Sequence, residues 1–207
     1  MSKLPRELEN PIDKFFLEIS EGLLHVFRKL NFTPNGLTSL SMITGIFAIN
    51  NIYNNDYICA IVMIWVSYLF DCMDGMFARK YNMVSKFGDY YDHIKDIVVG
   101  IALLIVLMSK YSLHGKINLF ILGILISGLT MIYVCNYEKY YRILTGKIET
   151  ASLDFLSNRC SKYNSLDGIR GEIYKYRYVG FSMAYVAMTI ILILLYVDFN
   201  LKNRYNK

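Results

Sequence analysis

The chain has 207 residues, of which 55% are hydrophobic and 15% aromatic, and its formal net charge is +5. That is too apolar for a typical soluble domain of this length, and the apolar residues come in blocks, so one membrane-embedded bundle is expected. The basic residues are mixed with acids and flank the apolar runs, which argues against a nucleic-acid partner.

Taken in chain order, residues 11–30 place Ile12, Phe15, Phe16, Ile19, Leu23, Val26, Phe27 and Leu30 at helical spacing. Asp13, Lys14, Glu18, Glu21, Arg28 and Lys29 fill much of the remainder. With no uninterrupted apolar run, this reads as an amphipathic helix lying in the membrane interface and not as a signal peptide.

Five spanning helices are expected next. They run over about residues 37–53, 57–70 (continuing as helix through Arg79), 87–108, 117–135 and 178–197. Each approaches the ~20 residues needed to cross a bilayer core once its flanking turns are counted. The first is opened by Thr33-Pro34-Asn35-Gly36 and is the least apolar, with Asn50 and Asn51 near its end.

Residues 136–177 break the pattern with many charges. The fourth helix should continue through Leu144, followed by a polar connection holding one short helix. The fold class expected is therefore an all-α integral membrane protein. It has an interfacial helix in residues 1–32 and a bundle of five transmembrane helices in residues 33–207, or six if segment 136–177 hides a polar span.

Lys and Arg crowd the N-terminus, the loop from Arg79 to Lys86 and the segment from Lys139 to Arg177. The positive-inside rule places these regions in the cytoplasm. Lys202, Arg204 and Lys207 then fall on the far side, a mild conflict with the rule. The four cysteines, Cys59, Cys72, Cys135 and Cys160, show no C-x-x-C spacing and so indicate neither zinc nor a redox pair.

The densest chemistry is Asp71-Cys72-Met73-Asp74-Gly75-Met76-Phe77-Ala78-Arg79, followed by Gly88, Asp92 and Asp96. Ionisable groups beside a membrane span are costly and usually functional. On a helix, positions 71, 74, 75 and 78 share one face, and so do Asp89, Asp92, His93 and Asp96 on the next. The hairpin between them brings both faces to the cytoplasmic edge. Carboxylates converging there suit Mg²⁺ or Mn²⁺, which prefer oxygen ligands. Two such ions about 4 Å apart would clamp a diphosphate. Arg79 is placed to pair with phosphate oxygens. One acid near a helix end is ordinarily a cap or a solvated charge, but four at these offsets are not explained that way. A divalent-cation transporter is the rival from another class. It predicts acids near mid-membrane on several helices and leaves Gly75, Ala78 and Arg79 without a role.

The run Asp71-x2-Asp74-Gly75-x2-Ala78-Arg79-x8-Gly88-x3-Asp92-x3-Asp96 matches, without gap or substitution, the signature of the CDP-alcohol phosphotransferase family, and Pro34-Asn35-x-Leu37-Thr38 is similar to the segment that opens that family's first span. The resemblance covers about residues 31–108. It implies a homodimeric membrane enzyme that transfers a phospho-alcohol group from a CDP-alcohol to an acceptor hydroxyl, with release of CMP. It implies Asp71, Asp74 and Asp92 as ligands of Mg²⁺ or Mn²⁺, with Asp96 the base that takes the acceptor's proton or a further ligand; two ions are expected from the acid block's own chemistry. It implies Gly75, Ala78 and Gly88 as lining of the cytidine nucleotide pocket, Arg79 on its phosphates, and Asn35 and Thr38 beside the substrate. It also implies six spans, one more than the hydropathy supports.

Gly88-Asp89-x2-Asp92-His93-x2-Asp96 looks like the form found in choline and ethanolamine phosphotransferases, with Asp replacing Glu. Asp89 and His93 are i, i+4 partners, so the carboxylate would orient the imidazole as a base; the bland alternative for His93 is a helix-end polar residue. The preferred expectation is transfer from CDP-choline or CDP-ethanolamine to diacylglycerol. The alternative is a CDP-diacylglycerol-dependent transfer to inositol, serine or glycerol phosphate, with Arg142, Lys147 and Arg170 available for a phosphorylated acceptor. The site should face the cytoplasm, and in a eukaryotic cell the membrane should be that of the endoplasmic reticulum.

Overall fold

The computed structural model describes residues 4–146 and 165–205, and all regular structure among them is helical. The helices are α1 (Pro11–Lys29), α2 (Pro34–Tyr53), α3 (Tyr57–Lys80), α4 (Lys86–Ser109), α5 (Leu113–Thr145), α6 (Leu166–Tyr176) and α7 (Ser182–Tyr205), with one 3-10 turn at Arg177–Val179. The sequence marks their ends. The side chains of Asn10, Thr33, Asp56, Ser85 and Ser165 each accept a backbone N–H of the first turn they precede. Prolines occupy the first turns of α1 and α2, where no hydrogen bond is lost. The connections after α1, α2 and α3 each contain an asparagine at positive φ, Asn31, Asn55 and Asn82, a conformation asparagine tolerates better than most side chains.

Three helical regions, Tyr57–Lys80, Leu113–Thr145 and Leu166–Arg204, are long and apolar enough to cross a membrane. Five were expected. α4 falls short because Lys86, Asp89, Asp92, Lys95 and Asp96 crowd its first three turns, and α2 because Asn, Thr and Ser interrupt it. The residues that build the site are thus the ones that weaken the hydropathy of the helices carrying it. α5 reaches Thr145, one residue past the expected extension, and α6 supplies a short helix in the polar segment. At 11 residues α6 is too short to be a sixth span. Lys147, Cys160 and the middle of segment 136–177 lie outside the described residues. Cys59 and Cys72 are free thiols, whereas Cys135 is disulfide-bonded and so is more than a small core residue.

α2 packs along α3 and also against α4, while α1 and α7 pack on α3. One core cluster joins α2, α3, α4 and α7 through Ala48, Ile52, Tyr57, Ala60, Ile64, Leu107, Leu192 and Leu195. A second pins α1 and α2 to the end of α3 that carries the motif, through Leu24, Leu37, Met73, Met76 and Phe77. Outward-facing apolar rows run along α4 (Ile94, Ile97, Val98, Ile101, Ile105) and α5 (Ile117, Phe120, Ile121, Ile124, Leu125), as expected of surfaces that meet lipid tails.

α1 differs from the simple amphipathic picture. Its inward stripe is Asp13, Leu17, Ser20 and Leu24, with Asp13, Ser20 and Leu24 fully buried. Ile12, Phe15, Ile19, Val26 and Leu30 are exposed instead. An exposed apolar row on a helix docked through partly polar residues suits a helix whose outer face meets the membrane interface.

Candidate active site

α2 packs against both α3 and α4, and α3 and α4 meet through side chains such as Asp71 and Lys95. The resulting cleft is where the motif acids converge. One oxygen each from Asp71, Asp74 and Asp92 lie within 4.8 Å of one another. All three donors are carboxylate oxygens, a set suited to a hard divalent ion, so the residues fit the metal that the motif implies.

Three cavities meet at these acids. The first is lined by Asn35, Thr38, Asp74, Gly75, Ala78, Arg79, Gly88, Asp89, Asp92 and His93 among others. It gathers Asn35, Thr38, Gly75, Ala78, Arg79 and Gly88, the residues expected around the nucleotide, but not Asp96. The second is an apolar groove between α2, α3, α4 and α7, with Gly45, Val99, Leu103, Ala184 and Met188 along it and Asp71, Lys95 and Asp96 at its polar end. The third opens between α1, α3, α4 and α5, where Glu9, Asp13, Tyr137 and Glu138 face Asp71, Asp74, Arg79, Asp92, His93 and Asp96. Asp71 and Asp96 border the second and third cavities but not the first.

Each small residue has a concrete neighbour. A Cβ on Gly75 would sit 3.2 Å from Arg79 Nη1, so this glycine makes room for the guanidinium that lies across it. A Cβ on Gly88 would sit 3.1 Å from both Asn35 Oδ1 and Ser85 Oγ, so Gly88 lets α4 approach the start of α2. Thr38 was expected beside the substrate. It lines the first cavity, and its hydroxyl donates to Asp74 Oδ2 across 2.7 Å, so it also orients that carboxylate.

The Asp89–His93 pair also differs from expectation. His93 Nδ1 bonds to the Asp89 backbone carbonyl at 2.7 Å, and the Asp89 carboxylate is 3.7 Å away, beyond hydrogen-bond reach. A carbonyl only accepts, so Nδ1 carries the hydrogen and Nε2 is left as the basic nitrogen. The imidazole is thus oriented by backbone. Arg170 lines none of these three cavities, and its guanidinium pairs with Glu7 at 3.1 Å.

Sequence reasoning missed Lys95. Its side chain is 3% exposed, and Nζ contacts Asp71, lies 3.0 Å from Asp92 Oδ1 and lies 2.7 Å from Asp96 Oδ1. The sign was available. Lys95 is three residues after Asp92 and so shares its face, and a lysine at the start of an apolar run needs a partner. Asp13 was missed as well. Its Oδ1 accepts from Tyr68 Oη at 2.6 Å and from the Ser182 backbone N–H at 3.0 Å, tying α1 to α3 and to the start of α7.

Residues 31–160 match the family model described as CDP-alcohol phosphatidyltransferase. Among curated proteins, the chain is 28% identical over 109 residues to the archaetidylinositol phosphate synthase of Pyrococcus horikoshii, covering 50% of this chain and 54% of that protein. It is 33% identical over 69 residues to the CDP-diacylglycerol–serine O-phosphatidyltransferase of Bacillus subtilis, covering 33% of this chain and 39% of that one. It is 37% identical over 71 residues to the protein of the same name from Methanocaldococcus jannaschii, covering 34% and 32%. The chain thus spans about a third to a half of the length of these relatives. No solved structure is matched. The acid cleft, its glycine and arginine floor and the family match over 31–160 agree, and the chain belongs to the CDP-alcohol phosphatidyltransferase family.

Proposed function

We propose that the protein transfers a lipid phosphate group from a CDP-linked lipid of the CDP-diacylglycerol type to a polar alcohol, releasing CMP. The observation that carries this reading is the junction of a cleft lined by Gly75, Ala78, Arg79 and Gly88 with an apolar groove at the motif carboxylates. A donor with a nucleotide at one end and acyl chains at the other fits that pair of cavities. The named relatives favour this class over transfer from CDP-choline or CDP-ethanolamine, because two are serine phosphatidyltransferases and one an archaetidylinositol phosphate synthase.

In this reading Gly75, Ala78 and Gly88 accept the cytidine nucleotide, and Arg79 pairs with its phosphates. Asp71, Asp74 and Asp92 hold a divalent ion of the Mg²⁺ or Mn²⁺ class, which when bound neutralises the diphosphate. The acceptor enters from the cavity between α1 and α5, where Asp96 and His93 both reach the lining. One of them takes the proton of the acceptor hydroxyl. The acceptor oxygen then bonds to the lipid-side phosphorus, the bridging P–O bond breaks, and its electron pair leaves on CMP. The basic loop between α3 and α4 supports a site at the cytoplasmic edge by the positive-inside rule.

The test is CMP release by the purified protein in proteoliposomes. CDP-diacylglycerol is offered with serine, inositol, inositol phosphate or glycerol phosphate, in parallel with CDP-choline or CDP-ethanolamine plus diacylglycerol. Release with the lipid-linked donor and one polar alcohol is expected. Release only with the choline or ethanolamine donor would overturn the choice of donor, and none with any pair would overturn the transfer reading.

A further inference from the structure

Phosphoryl-group transfer at this cleft calls for no lysine between Asp92 and Asp96, yet Lys95 is among the most deeply buried charged residues described. Its Nζ hydrogen-bonds Asp71 and, at 3.5 Å, Ser41 Oγ, and lies at ion-pair distance from Asp92 and Asp96, where Asp92 Oδ1 accepts no aligned hydrogen bond. Asp71 and Asp92 also belong to the set Asp71, Asp74 and Asp92. The cluster therefore consists of two three-carboxylate sets that share Asp71 and Asp92 as a common edge. Two cations held a few ångströms apart by shared carboxylates would use such an arrangement. Here one set is served by an ammonium group tethered to α4.

We propose that Lys95 stands in the second cation position of the acid cluster, so that the protein takes one divalent ion, at Asp71, Asp74 and Asp92, rather than two. This rests on reading the cluster as a divalent-ion site, as the proposed transfer reaction also does. Three considerations support it. An ammonium with three donors can serve three carboxylates at once. Mg²⁺ bonds its ligands at about 2.0–2.1 Å, so a second ion on Asp71, Asp92 and Asp96 would have to expel Nζ from the same oxygens. Expelled from them, Nζ would remain a buried charge without its partners. Lys95 also holds Asp96 in place without an ion, which leaves that carboxylate on the rim of the acceptor cavity.

The test counts Mn²⁺ bound to the full-length chain in detergent, by calorimetric titration with metal analysis, and reads the electron paramagnetic resonance spectrum at low temperature. Wild type should bind one Mn²⁺ per chain and give the resolved hyperfine pattern of an isolated ion. Lys95→Met should bind two and show a spectrum broadened by coupling between neighbouring ions, whereas Lys95→Arg should still bind one. Two ions in wild type would overturn the proposal, and so would a Lys95→Met protein with the wild-type count and spectrum. If Lys95→Met fails to fold, the wild-type count decides together with Lys95→Gln. Enzyme activity is not the readout, so the two readings fail separately. One bound ion without CMP release from any donor would keep this proposal and sink the transfer reading, and two ions with release would do the reverse.

Discussion

Thr38 on α2 donates its hydroxyl hydrogen to Asp74 Oδ2 on α3 across 2.7 Å, and both side chains are buried. The bond fixes one carboxylate of the Asp71, Asp74 and Asp92 set, the proposed ion site, from a neighbouring helix. Groups that orient a metal ligand in this way typically matter by about 10–100-fold in metal affinity or activity. Thr38→Val keeps the shape and removes the donor. It should lower both Mn²⁺ affinity and CMP release by about tenfold, while Thr38→Ser retains most of both. Equal loss in the two variants would mean that packing, not the hydrogen bond, is what matters.

Gly88 sits where a Cβ would come within 3.1 Å of Asn35 Oδ1 and Ser85 Oγ. Gly88→Ala should push α4 away from α2 and distort the cleft lined by Gly75, Ala78 and Arg79 without touching the carboxylates. Overpacking of this kind costs about 1–3 kcal/mol. If that cost falls on donor binding, KM for the CDP-alcohol should rise by roughly tenfold with kcat little changed. Steady-state kinetics with the donor varied would check the split.

Asp92 belongs both to the ion set and to the Lys95 contacts. Asp92→Ala should reduce CMP release by at least about 100-fold, the order found when a group that stabilises transition-state charge is removed. Insertion into membranes should be unaffected. In wild type, a chelator should abolish release, and added Mg²⁺ or Mn²⁺ should restore it. Activity that survives thorough chelation would remove the ion from the reaction.

The motif acids were legible because their spacing is helical arithmetic. Asp71 with Asp74, and Asp92 with Asp96, had to share faces, and the short hairpin between α3 and α4 had to bring those faces near each other. The caps were equally readable, since Thr33-Pro34 and Ser85 stand where a first turn needs acceptors. Lys95 and Asp13 were not, because both act against the type of position they occupy. Lys95 lies among carboxylates that seemed to call for a metal alone. Asp13 lies on the buried stripe of α1, a helix whose pattern reads as lying in the membrane interface and does not show which polar residue turns inward. Spacing puts Lys95 on the face of Asp92 but does not say which carboxylates hold it, and for Asp13 tertiary packing alone decides. His93 shows a finer limit, since spacing put it next to Asp89 but could not say that the backbone carbonyl, not the carboxylate, holds the ring.

Asp13 yields the prediction with a definite pH sign. It lies on α1, where burial raises its carboxyl above the ordinary value of 3.8, against the lowering effect of hydrogen bonds from Ser182 and Tyr68. The folded state therefore holds the proton more tightly than the unfolded chain does, and unfolding releases it between the two values. This group's contribution is most favourable below its ordinary value and is progressively lost as pH rises through the raised one. Asp13→Asn keeps an oxygen to accept from Tyr68 and Ser182 but carries no charge. It should melt at a higher temperature than wild type at pH 7, and the gap should close as the pH falls toward about 4. Asp13→Ala should lose stability throughout, because Tyr68 Oη and the Ser182 N–H would both lose their acceptor, at about 1–3 kcal/mol for each buried group left unsatisfied. Melting curves of the three proteins in detergent between pH 4 and pH 8 would check it. A constant gap between wild type and Asp13→Asn would mean that the carboxylate ionises in the folded protein as readily as in the unfolded one.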